Sequence, residues 1–218
     1  MPARVVSLLN QKGGSGKTTL ATNIATKLKL LGNKVLLIDV DPQGSSLDWS
    51  AQRAKQDLDF AFPVVGIPRD TIHREIDALG EPYDWVVIDG PPSRQNLAKS
   101  AIAASDIVVI PVQPSPYDIW AVKDIVDLII EVRVLKADLK ALFVINRKIV
   151  GTAIGKSVNK ALASYDSIPV MKAAISQRVG FAEAAASGQT VLETHPDSAA
   201  AKEVCVLVDE ILEQANGK

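Results

Sequence analysis

Ten residues near the N-terminus, Asn10-Gln11-Lys12-Gly13-Gly14-Ser15-Gly16-Lys17-Thr18-Thr19, combine small side chains, two lysines and two threonines in an order suited to gripping an anion. Small residues let the backbone fold tightly, and successive N–H groups, joined by the N-terminus of a following helix, then point at phosphate oxygens. In such a loop Lys17 reaches the β- and γ-phosphates of a nucleoside triphosphate and the Thr18 hydroxyl sits on Mg²⁺. The bland alternative is a glycine-rich turn that binds nothing. It does not account for Gly-Lys-Thr standing in order between an apolar strand and a helix-period segment.

The loop departs from the common form G-x-x-x-x-G-K-[ST] in two ways. Gln11 stands five residues before Gly16 in place of a glycine, and a second lysine, Lys12, precedes the glycines. As a solvated loop charge Lys12 would do nothing. As a second phosphate contact, made in cis or across a dimer interface, it would neutralise charge as the γ-phosphate leaves. Spacing alone leaves both readings open.

Carboxylates follow at two strand ends: Leu36-Leu37-Ile38-Asp39-Val40-Asp41-Pro42-Gln43-Gly44 and Trp85-Val86-Val87-Ile88-Asp89-Gly90-Pro91-Pro92. In open parallel sheets ligands bind beyond the carboxyl ends of the strands, so Asp39, Asp41 and Asp89 converge on the phosphate side. Four apolar residues followed by Asp89 form a Walker B arrangement, an acid linked to Mg²⁺ through its water shell. Asp39 and Asp41 stand two positions apart at a strand end and are expected to point oppositely, one toward the metal shell and one toward the attacking water. Each alone would be an ordinary turn or cap residue.

The elements that must hold these residues are legible as a rhythm. Short apolar runs at Val5–Leu9, Val35–Val40, Trp85–Asp89, Ile107–Val112 and Ala141–Ile145 read as buried strands. Helical patterns lie at Lys17–Leu31, Leu47–Lys55, Asp70–Leu79, Gln95–Ala104, Tyr117–Leu135, Ala153–Ser164, Arg178–Ser187 and Asp197–Ala215. Strand–helix alternation with continuously apolar strands predicts an α/β fold: a doubly wound, mostly parallel sheet with helices on both faces. Without repeats or a linker, residues 1–218 are expected to form a single domain, with no N-terminal helix-turn-helix domain ahead of it.

Composition narrows the chemistry. Of 218 residues 47% are hydrophobic, which excludes wholesale disorder. A lone Cys205 excludes an internal disulfide framework, a cysteine-rich zinc site and an all-cysteine iron–sulfur cluster within one chain. His73 and His195 are too far apart in sequence to suggest a metal nest. No run of 18 apolar residues and no signal peptide are visible, so a cytosolic protein is expected.

The series Lys12-Gly-Gly-Ser-Gly-Lys17-Thr-Thr, Asp39-Val-Asp41-Pro-Gln43-Gly and Val-Val-Ile-Asp89-Gly-Pro-Pro resembles the deviant Walker A ATPases of the ParA/MinD superfamily. Pro111-Val112-Gln113-Pro114-Ser115 and Asn146-Arg147 look like further family positions. Ile175-Ser176-Gln177-Arg178 is similar to the small plasmid-partition ParA (ParF-like) type. The resemblance implies a P-loop ATPase with ATP and Mg²⁺ as its cofactors. Lys12 would cross an ATP-sandwich homodimer to the partner's phosphates. Gly13, Gly14, Ser15, Gly16, Lys17, Thr18 and Thr19 would bind ATP in cis, and Asn146 would be placed for the adenine. Thr18, Asp39 and Asp89 would serve the metal, and Asp41 the hydrolytic water. It also implies slow hydrolysis stimulated by a ParB-like centromere-binding partner, and non-specific DNA binding by the ATP dimer, which would place that form on the nucleoid. Gly180 stands where longer ParA proteins usually carry an arginine, so their DNA-contacting residues do not transfer.

Residue content argues against relatives of other function. An iron–sulfur carrier needs at least two cysteines per chain. A membrane positioner needs a basic C-terminal helix, whereas Ala199–Lys218 carries two lysines against four acids and would be repelled by anionic lipid. Its Val204, Leu207, Val208, Ile211, Leu212 stripe is expected to dock on the sheet. A P-loop ligase of the dethiobiotin-synthetase type would have no evident use for Lys12. A ParA-like positioner of a protein cluster would keep the biochemistry and change the cargo. Trp49, Trp85 and Trp120 are read as core or interface packing.

The net charge of -1 conceals an uneven distribution. Residues 132–178 hold nine basic and two acidic side chains, the footprint expected of a phosphate-backbone contact surface, with candidate DNA contacts from Arg133 to Arg178. Solvated helix faces are the competing reading.

Overall fold

The structure is a computed structural model and describes residues 2–59, 62–92, 94–149, 158 and 160–217. The apolar runs pair side by side in one direction. β1 (Arg4–Leu8), β2 (Val35–Asp39), β3 (Val64–Gly66), β4 (Trp85–Asp89), β5 (Ile107–Val112), β6 (Lys140–Lys148) and β7 (Val170–Ser176) form a seven-stranded sheet ordered β3-β2-β4-β1-β5-β6-β7. Every neighbouring pair is parallel. The helices are α1 (Lys17–Leu30), α2 (Ser45–Lys55), α3 (Ile72–Gly80), α4 (Gln95–Ala104), α5 (Pro116–Arg133), α6 (Val179–Ala186), α7 (Val191–Thr194) and α8 (Ala199–Ala215).

Successive side chains of a strand face opposite sides, so a continuously apolar strand feeds two cores at once. Val5, Leu36, Ile38, Val86, Ile88, Val108 and Ile110 pack with α3, α4 and α5 on one face. Val6, Leu8, Val35, Leu37, Val87 and Val109 pack with α1, Trp49 of α2 and α8 on the other. The apolar stripe of α8 is buried at Val204, Leu207, Val208 and Ile211 in that second core, as its periodicity predicts. β2, β4 and β5 are buried along their whole length. This doubly covered parallel sheet is the expected α/β fold.

Two strands and one helix go beyond the sequence expectation. β3 spans only three residues. β7 is an edge strand that alternates buried Met171, Ala173 and Ile175 with exposed Lys172, so it lacks the apolar run that marks the central strands. The four-residue α7 is held by a capping box between Thr190 and Glu193. The helix expected over Ala153–Ser164 lies largely outside the described residues. Trp49 and Trp85 are buried as expected, whereas Trp120 is 70% exposed.

The outer edge of β7 is not open. Glu210 of α8 accepts hydrogen bonds from the N–H groups of Lys172 (3.0 Å) and Ala173 (2.7 Å). Glu203, two turns earlier on the same face of α8, accepts from Ser176 N–H at 2.9 Å and from the Arg178 guanidinium at 2.7 Å.

Close approach of β1 and β4 fixes one glycine. Gly90 donates its N–H to the carbonyl of Leu8 at 3.1 Å, and a β-carbon there would lie 2.7 Å from that oxygen and press on the Leu9 side chain. Gly90→Ala is expected to cost about 1–3 kcal/mol, as overpacking does in a filled core. Urea denaturation checks this; a variant as stable as wild type would mean that the two strand ends move apart freely.

Candidate functional site

Pairing register brings the three strand ends together. Leu8 of β1 and Asp39 of β2 are both Cα partners of Asp89 of β4, so the two acids stand side by side next to the start of the phosphate loop. The loop leaves β1 and enters α1 through Gly14 (φ 74°) and Gly16 (φ 95°), a left-handed path that glycine takes without steric cost. Gly16 is the N-cap of α1, with no side-chain cap and no acidic residue in the first turn, so the helix terminus offers its N–H groups to an anion.

The loop is held from outside. Buried Asn10 donates to the carbonyl of Pro111 at 2.7 Å and accepts from Lys12 N–H at 2.9 Å. Gln113 donates to the Gly14 carbonyl and Asn146 to the Ser15 carbonyl, each at 2.7 Å. The ends of β5 and β6 therefore pin the loop that β1 launches. Asn146, expected at the adenine, is here engaged with the loop backbone.

Lys17 is buried and donates to the Lys12 carbonyl at 3.2 Å. Burial lowers its pKa, while Asp89 and Asp41 act in the opposite sense. Lys12 points elsewhere: its Nζ lies 2.6 Å from Oδ2 of Asp118 in the first turn of α5. Asp118 is 1% exposed. The sequence reading did not single it out; the nearest signal was the adjoining Pro111–Ser115 stretch, which looked like a family position. On the same turn Tyr117 and Trp120 stack edge to face at 5.4 Å, both exposed.

The three acids differ sharply. Asp39 is fully buried, and both its oxygens are engaged: Oδ1 by Asp41 N–H (3.0 Å), Oδ2 by the N–H groups of Ser46 (2.8 Å) and Leu47 (3.3 Å). Burial raises its pKa against those hydrogen bonds. Asp41 lies beyond the end of β2 in a turn closed by Gly44 N–H on its carbonyl, so strand alternation does not set its direction. Its Oδ1 accepts from Gln43 N–H at 3.0 Å. Asp89 accepts at Oδ2 from the Ser46 hydroxyl at 2.8 Å, whereas its buried Oδ1 makes no hydrogen bond among the described residues. Its pKa is pushed up to about 7, mainly by burial and also by Asp39, against the Thr18 and Ser46 hydroxyls and Lys17.

An orphaned carboxylate oxygen beside Thr18 and Lys17 suits a hydrated divalent cation carried by a triphosphate. No group of three His, Cys, Asp or Glu side chains among the described residues could hold a metal unaided. Next to the loop opens a cavity of about 710 Å³ lined by Gly16, Thr19, Asn146, Arg147, Ile175 and Phe181, roomy and apolar enough for a nucleoside. Arg147, at its mouth, has the left-handed φ of 53°.

The described basic residues of the segment 132–178 are spread over several elements. Lys140 and Lys148 begin and end β6, roughly 26 Å apart. Arg133 donates to the carbonyls of Leu139 and Ser167, Lys140 to that of Gln214, and Arg178 pairs with Glu203. Arg147, Lys160 and Lys172 are exposed. His73, without an evident partner in the sequence, lies 2.8 Å through Nδ1 from the Ser100 hydroxyl. No described helix is long and apolar enough to cross a membrane.

A parallel sheet with a glycine-rich strand-to-helix loop and a strand-end acid defines a P-loop nucleotide-binding protein. The chain belongs to the CobQ/CobB/MinD/ParA nucleotide-binding domain family, whose model matches residues 6–191. It is 33% identical to the chromosome-partitioning ATPase Soj of Thermus thermophilus, over 96% of this chain and 95% of Soj. It is 29% identical to the maintenance of carboxysome distribution protein A of Halothiobacillus neapolitanus, over 96% and 97%. The fold is similar to that of the septum site-determining protein MinD from Pyrococcus horikoshii complexed with Mg-ADP (TM-score 0.72, 22% identity, 96% of each chain).

The raised pKa of Asp89 has a consequence for the protein without nucleotide or metal. Between the ordinary carboxyl value of 3.8 and about 7, the folded state binds more protons than the unfolded one, so stability falls as pH rises through this window. Asp89→Asn is expected to match wild type near pH 4 and to exceed it at pH 8, by at most roughly 4 kcal/mol. Denaturant titrations at the two pH values measure the difference. Equal pH dependence in both proteins would assign the decline to other groups.

Proposed function

We propose that this chain is a ParA-type partition ATPase. It forms an ATP-sandwich homodimer, binds DNA without sequence preference, and hydrolyses ATP under stimulation by a ParB-like partner. The observation that carries this reading is Lys12: a second lysine at the phosphate loop whose ammonium is held away from its own phosphate site by Asp118. A lysine needed only in cis would have no use for that geometry. A lysine that swings from α5 to the phosphates of a second copy would.

In this reading residues 1–218 act as one domain. Gly13, Gly14, Ser15 and Gly16 present N–H groups to the phosphates, Lys17 neutralises them, Thr19 borders the nucleoside cavity and Asn146 faces the base. Mg²⁺, when bound with ATP, would be held by Thr18 and Asp89 and would draw charge from the phosphates. Asp39 serves that region by shaping the loop that carries Asp41, and Asp41 orients the water that attacks the γ-phosphate as the bond to ADP breaks. Release of Lys12 from buried Asp118 is costly, because it leaves a carboxylate without its partner. That cost accords with slow turnover by the isolated protein.

For DNA, exposed Arg147, Lys160 and Lys172 are the candidates within the basic segment. Scattered on one protomer, such charges gather affinity only when a dimer adds them together. The ATP form would then sit on the nucleoid and the protein be cytoplasmic otherwise. The acidic α8 gives no purchase on anionic lipid. The cargo is a plasmid or chromosome in the first reading. A protein cluster is the second, favoured by the near full-length match to a carboxysome-distribution protein.

Lys12→Ala is expected to bind ATP within about threefold of wild type while hydrolysis falls by about 10³-fold or more, the scale of a charge supplied in trans to a phosphoryl transition state. Dimerisation with ATP, followed by light scattering, should be lost as well. Normal hydrolysis by the variant would reduce Lys12 to a loop charge. Wild type should retain duplex DNA with ATP but not ADP, the affinity dropping steeply with salt; equal binding in both nucleotide states would sink the dimer-gated scheme.

A further inference from the structure

Ser46 attracts no notice in the sequence, where it is one of two serines after Gly44. In the fold it is wholly buried as the second residue of α2 and lies between the two strand-end acids. Its backbone N–H donates to Oδ2 of Asp39 at 2.8 Å, and its hydroxyl donates to Oδ2 of Asp89 at 2.8 Å. Asp39 in turn accepts from the N–H of Asp41 at 3.0 Å. An unbroken line of hydrogen bonds thus runs from the Asp41 turn through Asp39 and Ser46 to Asp89.

We propose that Ser46 is a positioning residue that fixes the Asp89 carboxylate for the metal and couples it to the turn bearing Asp41. The inference rests on the Mg-ATP reading above. A hydroxyl carries one proton, and here it is committed to one oxygen of Asp89. That bond fixes the carboxylate plane and leaves Oδ1, buried and unpartnered, as the oxygen with acceptor capacity to spare. The strand neighbours of Asp89 cannot do this work. Leu8 is apolar, Asp39 is an acid already engaged by three N–H groups, and Gly90 has no side chain. Because the same residue holds Asp39 with its backbone and Asp89 with its side chain, a shift of the Asp41 turn is carried to the metal-bearing acid. Water orientation and metal position then change together.

Groups that orient a metal-bearing carboxylate typically contribute about ten- to a hundredfold to metal affinity. The test uses the full chain with a fluorescent ATP analogue, first in EDTA and then titrated with MgCl₂, for wild type, Ser46→Ala and Ser46→Thr, alongside thermal unfolding of each. Wild type should bind the analogue more tightly as Mg²⁺ is added. Ser46→Ala should match wild type within about twofold in EDTA yet need about tenfold more Mg²⁺ for half of the gain. Ser46→Thr, which keeps the hydroxyl, should return within about threefold of wild type. A purely structural role predicts a lower unfolding temperature with an unchanged Mg²⁺ requirement. That outcome overturns the assignment, as does Ser46→Thr needing as much Mg²⁺ as Ser46→Ala. A wild-type protein that gains nothing from Mg²⁺ overturns the nucleotide reading itself, and this inference with it.

Discussion

Two carboxylates and an ammonium share the ends of three strands that are otherwise sealed in hydrocarbon. Asp39 and Asp89 are paired residues of β2 and β4, and Lys17, at the start of α1, feels the charge of Asp89 and Asp41. A parallel sheet covered on both faces has mostly apolar strand interiors, so charged groups gather at its strand ends. Buried charge must be compensated or the fold suffers. Asp39 has both oxygens met by backbone N–H groups, although burial still raises its pKa. Asp89 is compensated only in part, with one oxygen unpaired and its proton retained to about pH 7. The fold therefore leaves one buried carboxylate whose environment the described residues do not complete.

A second dependence follows from the loop itself. The phosphate loop belongs to β1 and α1 in sequence but is held by residues at the ends of β5 and β6 and by the first turn of α5. Any rearrangement of the loop around phosphates must renegotiate the contacts of Gln113 and Asp118. The exposed aromatic pair Tyr117 and Trp120 rides on the same turn as Asp118. A change of a few ångströms at Lys12 is thereby presented on the protein surface.

Much of this was legible in the residues because the governing patterns are local. The phosphate loop, the acid after four apolar residues and the central strands each carry a periodicity or a spacing that physics ties to one conformation. β3 and β7 escaped because one is three residues long and the other alternates at the sheet edge. Ser46 and Asp118 escaped for a different reason. Their importance lies in partners 43 and 106 positions away, and no local pattern marks a serine or an aspartate as the far end of such a contact. Within the basic segment, Lys140 and Lys148 stand at opposite ends of one strand, a separation that sequence proximity does not convey. Asp41 likewise had to be seen in its turn, because residues two apart share a face on an extended strand and only the turn beyond β2 can aim the two acids apart.

The capped margin of β7 bears on how copies of this chain can associate. An uncovered strand presents a row of donors that a second chain can add to, the route by which sheets grow into fibres. Glu210 and Glu203 occupy those donors at Lys172, Ala173 and Ser176 with carboxylates of α8. A neighbour seeking to extend the sheet there would have to peel away a helix whose apolar stripe is buried in the core. Growth by strand addition is closed on that side.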